Sequence, residues 1–329
     1  MTDVFASLDE LLATLGGRAP FSSADSLSGS RFERVDRGSE RLILKYVSVD
    51  DDWIMRACGD LNCRQLTLLE SGLLDRLLGE IDNAVVAAAP FQSRHGHRGA
   101  ALLMRDVGAH LIPAGGAPVD VDTHLRFLDR MAGMHAAYWG WRDDVGLMPL
   151  AHHYVFLTPT MAAIEAGLDA ADPVPRAVAE GWAALRRSRP ESAAALDELV
   201  AEPAMLASAL ARFDLTLVHG DWKFGNLGAA PDGRTVLLDW DRCGAAPPAI
   251  DLAWYLAVNC DRLPHSKEEA IDAYRGFLER RGIATAPWWD DQLALALLGA
   301  FLQLGWSKID DAAEFGWWDD RLAEGMRRL

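Results

Sequence analysis

Residues 218–228 read VHGDWKFGNLG. Gly220, Gly225 and Gly228 punctuate the stretch, so it is poor helix and poor strand. His219, Asp221, Lys223 and Asn226 crowd it with polar groups that have to converge on something. Just downstream, residues 226–229 and 235–240 are joined by Pro231-Asp232-Gly233, a turn that predicts a β-hairpin. An antiparallel return carries Asp239, in the run VLLDWD, back beside Asn226. An acid and an amide then meet at one end of the hairpin, with Asp221 in the loop before it. Hard oxygen donors grouped this way suit Mg²⁺. Asp221, outside that pair, is placed to orient a nucleophile.

Upstream of the hairpin, residues 30–36 and 41–47 are rich in β-formers and flank Asp36-Arg37-Gly38-Ser39, which predicts a second hairpin. A helical pattern follows over 53–78, with Leu66, Leu69, Leu73 and Leu77 at helical spacing, then strands at 84–89 and 100–107. His95 and His97 sit in the turn between those strands, where a solvated loop tip outweighs a metal pair. From residue 121 the chain reads as long helices, at 121–139, 160–169, 175–187, 191–210, 266–282 and 290–306. The class expected is α+β: a sheet-rich N-terminal lobe, 1–106, and a mainly helical lobe, 107–329. The boundary falls in a Gly- and Pro-containing stretch near 105–118.

The chain has 329 residues, half of them hydrophobic, and a formal net charge of −16. Such a surface repels nucleic acid and anionic lipid; it tolerates cationic small molecules, and either attracts them or serves solubility alone. Its four cysteines, Cys58, Cys63, Cys243 and Cys260, form neither a disulfide framework nor a zinc motif. The N-terminal segment carries Phe5, Leu8, Leu11, Leu12 and Leu15 on one helical face, and Asp3, Asp9 and Glu10 stand where a signal peptide would be basic. Residues 293–306 are apolar but too few to span a bilayer. A cytoplasmic protein without membrane or nucleic-acid partners is expected, as monomer or homodimer.

His219-Gly220-Asp221, Asn226 five residues after Asp221, Leu238-Asp239-Trp240 and Asp251-Leu252-Ala253 together resemble the motifs of aminoglycoside phosphotransferase-type small-molecule kinases, distant relatives of protein kinases. The resemblance covers roughly 213–256 in motif and the whole chain in lobe order. It implies a bilobal protein-kinase-like fold with a five-stranded antiparallel sheet in the N-lobe, and ATP and Mg²⁺ as cofactors. Asp221 would be the catalytic base, Lys223 a phosphate contact, and Asn226 and Asp239 the metal ligands. Lys45, the only lysine before Lys223, stands where the family's strand lysine pairs with the α/β-phosphates. The phosphate loop would be Ser28-Gly29-Ser30 after a strand near 21–27, and the backbone of Met104, Asp106 and Val107 would meet adenine. A helix acid should hold Lys45, yet Gln65 stands where the family's glutamate is expected; Asp60 and Glu70 are the nearby acids and neither is assigned. His219 is expected to bond within the loop rather than react, and Asp251 to brace the loop or to cap the helix that it opens. His135 is expected in the core, as are most of the helical lobe's tryptophans.

The activity implied is transfer of the ATP γ-phosphoryl group to a hydroxyl of a small molecule. Two other readings stay open: a kinase-like binding protein without catalysis, and a metal-dependent hydrolase built on His219, Asp221, Asp239 and Asp241. Phosphate appearing on an acceptor, and not in solution, separates them. Asp290, Asp291, Asp310, Asp311, Glu314, Asp319 and Asp320 would favour a cationic acceptor if they line its site, and would be a solvated face otherwise.

Overall fold

A computed structural model describes residues 2–22, 28–77, 79–168 and 172–329. In chain order it contains β1 (Asp3–Val4), α1 (Leu8–Ala13), β2 (Arg18–Phe21), β3 (Arg31–Arg37), β4 (Glu40–Val47), α2 (Trp53–Ala57), α3 (Arg64–Glu70), β5 (Ile81–Asp82), β6 (Val85–Gln92) and β7 (Arg98–Arg105). Helices α4 (Val121–Ala137), α5 (Leu150–His153), α6 (Pro159–Gly167), α7 (Pro173–Ser188), α8 (Pro190–Ala201) and α9 (Pro203–Leu210) follow. Then come β8 (Thr216–Val218), β9 (Leu227–Ala229), β10 (Thr235–Leu237), β11 (Gly244–Ala246), α10 (Ala249–Val258), α11 (Lys267–Arg280), α12 (Trp289–Leu304) and α13 (Ala312–Met326). The chain divides into two compact units. The first holds Met1–Gly115, Asp144–Leu147 and Phe224–Arg242; the second holds Gly116–Asp143, Met148–Lys223 and Cys243–Leu329.

The first unit is built on a six-stranded sheet in the order β1-β6-β7-β4-β3-β2. Five of its strands pair antiparallel, and β1 adds a parallel edge beside β6, with Asp3 opposite Ala87. The expected five strands are therefore six, because two residues of β1 are too few to show a period of two. Of the strand expected near 21–27, residues 23–27 lie outside the described residues, and β2 ends at Phe21. Alternation along β4 decides which side chains go where. Leu42, Leu44 and Tyr46 pack on one face with Leu11 of α1. Lys45 and Val47 belong to the opposite face, where Val47 packs with Leu66, Leu102 and Met104.

The helical pattern over 53–78 is not one helix. Gly59 at φ 63°, Cys63 at φ 58° and Gly72 at φ 66° turn the backbone left-handed and separate α2, α3 and a 3-10 turn at Leu73–Leu77. A three-stranded sheet, β5-β10-β9, completes the unit. Its β9–β10 hairpin is the expected one, with Thr235 opposite Ala229 and Leu237 opposite Leu227. Strand β5 runs parallel to β10, Ile81 opposite Thr235. That pairing carries Phe224–Arg242 into the sheet-rich unit, whereas the sequence division placed all of 107–329 in the helical one. Gly228 sits under a close backbone crossing: a Cβ there would lie 2.4 Å from the carbonyl oxygen of His110, so only glycine fits.

The second unit is helical, with β8 and β11 as a short antiparallel pair. The expected 191–210 helix breaks into α8 and α9 at Pro203, which cannot continue a helix and opens the next one. Helix α12 is buried nearly all round and α10 is buried from Ala249 to Ala257, so these two form the middle of the unit. No helix among the described residues is long and apolar enough to cross a membrane.

Candidate active site

In the first unit, the face of β4 decides the position of Lys45. The lysine lies opposite Phe32 and Leu102, is 6% exposed, and its Nζ reaches Asp239 Oδ1 at 2.6 Å. Burial works against its charge. Asp239, by attraction and by hydrogen bond, outweighs that burial together with Asp241 and Asp52, and raises the lysine's pKa above its ordinary value. Asp239 follows β10 at φ 59°, a left-handed conformation that aspartate tolerates better than most residues. Its side chain is 40% exposed, so the carboxylate is accessible as well as paired. Leu238 N–H donates to Asn226 O at 2.9 Å, which continues the hairpin register and sets Asn226 at the same end as Asp239. Among the described residues no cluster of three or more His, Cys, Asp or Glu could hold a metal by itself. Two protein oxygens at one hairpin end are the donor set that suits Mg²⁺, which keeps waters and substrate phosphates for its other positions.

The acid facing Lys45 from across the unit is thus Asp239, and neither helix-side candidate reaches it. Asp60 accepts the N–H of Arg64 at the start of α3, at 2.9 Å, and Glu70 pairs with Arg98 at 2.6 Å. Asp52 is the acid the sequence reading missed. It caps α2 by accepting from the N–H groups of Ile54 and Met55, at 2.8 and 3.2 Å, and also accepts from Ser30 Oγ at 2.9 Å. Burial raises its pKa, while Lys45 and the hydroxyls of Ser28 and Ser30 oppose the rise. Ser28, Gly29 and Ser30 are therefore tied to the N-terminus of α2. The two hydroxyls lie 3.0 Å apart, Ser28 O accepts from Trp53 N at 3.2 Å, and Gly29 takes φ 88°. At the expected adenine hinge, Met104 is paired in the sheet opposite Ile43. Asp106 accepts from Gly108 N at 3.2 Å, and Val107 O accepts from His110 N at 2.8 Å.

In the second unit, the loop after β8 is fixed from below by one buried acid. Asp251, in the first turn of α10, accepts from the N–H groups of His219 and Gly220, both at 2.7 Å. Its Oδ2 also meets His135 Nε2 at 3.1 Å, and His135 Nδ1 meets the Tyr274 hydroxyl at 2.6 Å. Gly220 turns at φ 78°, which lets both N–H groups point at one carboxylate. His219 is itself buried, and its Nδ1 accepts from Asp221 N–H at 3.1 Å. His219 and Asp251 brace the loop as expected, and His135, expected only as a core histidine, is buried and supports Asp251. Asp221 Oδ2 pairs with Lys223 Nζ at 2.7 Å, and Asp221 Oδ1 accepts from Trp254 Nε1 at 3.0 Å. Lys223 therefore sits on Asp221 and is not turned away from it.

Burial opposes the charge of Asp251, but the hydrogen bond and charge of His135, with His219, hold its carboxyl below the usual aspartate range. A depressed folded-state pKa gives stability that is present above the unfolded value, about 3.9, and lost as pH falls through the folded one. Asp251→Asn is therefore expected to lower stability at neutral pH by about 3 kcal/mol or more, since His219 and Gly220 donate to different carboxylate oxygens and the NH2 group that replaces one of them cannot accept. The deficit against the parent should shrink in urea melts run progressively below pH 4. A deficit that is constant with pH would contradict the charged role.

The profile of the phosphotransferase enzyme family, APH, matches residues 67–286, more than half of the chain. The chain belongs to that family. No curated protein matches this phosphotransferase significantly. Among solved structures, choline kinase LicA from Streptococcus pneumoniae is similar over 97% of this chain and 96% of that one, at 13% identity and a TM-score of 0.51. LicA in complex with AMP is similar over 97% and 95%, at 12% identity and a TM-score of 0.50. Aminoglycoside phosphotransferase APH(3'')-Id from Streptomyces rimosus is 19% identical over 92% of this chain and all of that one, with a TM-score of 0.47. The LicA likeness carries the fold: this phosphotransferase has the protein-kinase-like α+β architecture.

The acidic residues near the C-terminus of the phosphotransferase are largely engaged within the fold. Asp311 caps α13, Glu314 holds Lys267 and the indole N–H of Trp318, Asp319 accepts from Ser192, and Asp291 pairs with Arg328. These four acids hold a helix end and tie neighbouring elements together. Trp254, like Asp52, was missed from the sequence. Its signal is the spacing Asp251-x-x-Trp254, which puts both side chains on one face of α10, the face that meets the loop.

Proposed function

We propose that this phosphotransferase is an ATP- and Mg²⁺-dependent small-molecule kinase that moves the γ-phosphoryl group to a hydroxyl acceptor. The observation that carries the reading is the buried Lys45 held at 2.6 Å by the accessible carboxylate of Asp239, on the hairpin end that also bears Asn226. A buried ammonium beside an exposed acid and an amide is the chemistry required to receive a triphosphate with its metal. Asn226 and Asp239 would hold Mg²⁺, which when bound neutralises charge on the phosphate oxygens. Lys45 would turn part of its charge from Asp239 to the α/β-phosphates. The serine hydroxyls and backbone of Ser28-Gly29-Ser30, pre-set by Asp52, would face the same anion. The backbone at Met104, Asp106 and Val107 would meet the adenine.

Asp221 would orient the acceptor hydroxyl and take its proton as the new O–P bond forms and the bond to ADP breaks. Lys223, paired with Asp221, would balance the charge gathering on the transferred group. The LicA complex with AMP supports an adenine nucleotide, and the choline acceptor of LicA, with the −16 net charge here, supports an amine-bearing alcohol or sugar as the first acceptors to test. A catalytically silent binding protein is the weaker reading, since the full set Lys45, Asp221, Lys223, Asn226 and Asp239 is present.

Thermal stabilisation by ATP, with and without Mg²⁺, tests the nucleotide half directly. ATP should raise the melting temperature in the presence of Mg²⁺. Asn226→Ala should keep that shift at saturating metal while moving the Mg²⁺ midpoint for it several-fold upward, because one of two protein oxygens is gone. An unmoved midpoint would remove Asn226 from the metal site.

A further inference from the structure

Two of the donors that meet Asp221 differ in kind. Lys223 is an ammonium on a four-carbon stem, its side chain 35% exposed, and it can turn from Asp221 Oδ2 to another anion. Trp254 offers one donor and no acceptor on a rigid ring. That ring is 5% exposed and stands on a helix buried from Ala249 to Ala257; Phe156 packs against it with centroids 6.1 Å apart. Its N–H cannot be redirected without moving α10. The same face of α10 carries Asp251, which fixes the backbone of His219 and Gly220, so one helical turn anchors the loop at Asp251 and the carboxylate at Trp254.

We infer that Trp254 is a positioning residue that pins Asp221 Oδ1, so that Oδ2 is the oxygen that meets the acceptor hydroxyl and receives its proton. The inference rests on the reading of Asp221 as the acceptor-orienting base. With Oδ1 held, rotation of the carboxylate about its Cβ–Cγ bond is stopped and Oδ2 has one direction. Lys223 shields Oδ2 until a phosphate draws its ammonium away. A carboxylate that both turned and competed for the lysine would lose its alignment with the attacking oxygen, and alignment is most of what a kinase base provides.

The test is phosphoryl transfer from γ-labelled ATP by purified full-length protein, with an acceptor found by screening hydroxylated amines and sugars. Trp254→Phe keeps an aromatic ring, smaller than the indole, and deletes the donor. It should lower kcat by about 10- to 100-fold, the range of one hydrogen bond to a charged group, while KM for Mg·ATP stays within about twofold. In an Asp221→Asn background the same substitution should remove almost nothing further, because the group it acts through is already lost. A merely structural role would subtract equally in both backgrounds and lower the melting temperature with it. Phe156→Leu keeps the donor and loosens the ring; it should shift kcat in the same direction by a smaller factor, and it carries the test should Trp254→Phe fail to fold. A Trp254→Phe enzyme at parental kcat, or a Phe156→Leu enzyme at parental kcat where only that variant folds, would overturn the inference while Asp221→Asn is still crippled. Asp221→Asn turning over normally would instead overturn the reading of Asp221 and the inference with it.

Discussion

Asp221→Asn is expected to retain Mg·ATP binding and to lose phosphoryl transfer by about 10²–10⁴-fold. The amide fills the same volume, so the packing beside Trp254 and the loop held by Asp251 should survive. Two things are lost together. An amide cannot take the acceptor proton, and with its oxygen on Trp254 it turns an NH2 donor toward Lys223 in place of an anion at 2.7 Å. Metal and nucleotide are assigned to Asn226, Asp239 and Lys45, not to Asp221, so the ATP-induced rise in melting temperature should match the parent within error. Calorimetric titration of ATP beside a transfer assay measures both halves. Near-normal turnover would remove Asp221 from the chemistry; loss of ATP binding would give it a nucleotide-binding role instead.

Asp239→Ala is expected to abolish productive use of Mg·ATP, with transfer down by 10²–10³-fold or more, the scale seen when a group that stabilises transition-state charge is removed. The substitution strikes twice: an oxygen proposed for the metal disappears, and Lys45, 6% exposed, loses the first of the carboxylates that outweigh its burial. Its raised pKa should fall. Because a raised lysine pKa contributes stability below the unfolded value, about 10.4, the loss should be present at neutral pH. It should amount to about 1–3 kcal/mol, discounted from the full buried-pair figure because the carboxylate is 40% exposed. Initial rates across a Mg²⁺ titration, with urea melts at pH 7, read the two effects separately. An unchanged Mg²⁺ dependence would place the metal elsewhere.

What the sequence disclosed was local. Asp221, Lys223 and Asn226 lie within six residues of one another, and the Pro231-Asp232-Gly233 turn sets the register of the hairpin, so the position of Asp239 beside Asn226 needed only short-range rules. The α+β class followed from the change of period after residue 121. The partner of Lys45 was not legible because it is 194 residues away, and no spacing rule reaches that far. Asp52 was hidden in the run Asp50-Asp51-Asp52, where only the cap geometry singles out the third acid. Leucines at helical spacing from Leu66 to Leu77 ran straight over Gly72, whose left-handed backbone breaks the pattern. Strands of two or three residues, β1, β5, β8 and β11, are held by their neighbours and carry no pattern of their own. Charge left two readings of the C-terminal acids open, an acceptor wall or a solvated face, and the cap made by Asp311 and the ties made by Glu314 and Asp319 depend on tertiary contacts that no charge pattern displays.

The measurement that reaches the central claim most directly is a mass-balance transfer assay. The full chain is incubated with γ-labelled ATP and Mg²⁺ against a panel of amino alcohols, choline, aminoglycosides and neutral sugars, and the label is followed to its product. The account predicts that ADP forms in step with label on one class of hydroxyl acceptor, that chelating the metal stops both, and that Asp221→Asn and Asp239→Ala each remove the labelled product. Label released only as free phosphate, or ATP bound and never consumed with any acceptor, would contradict it.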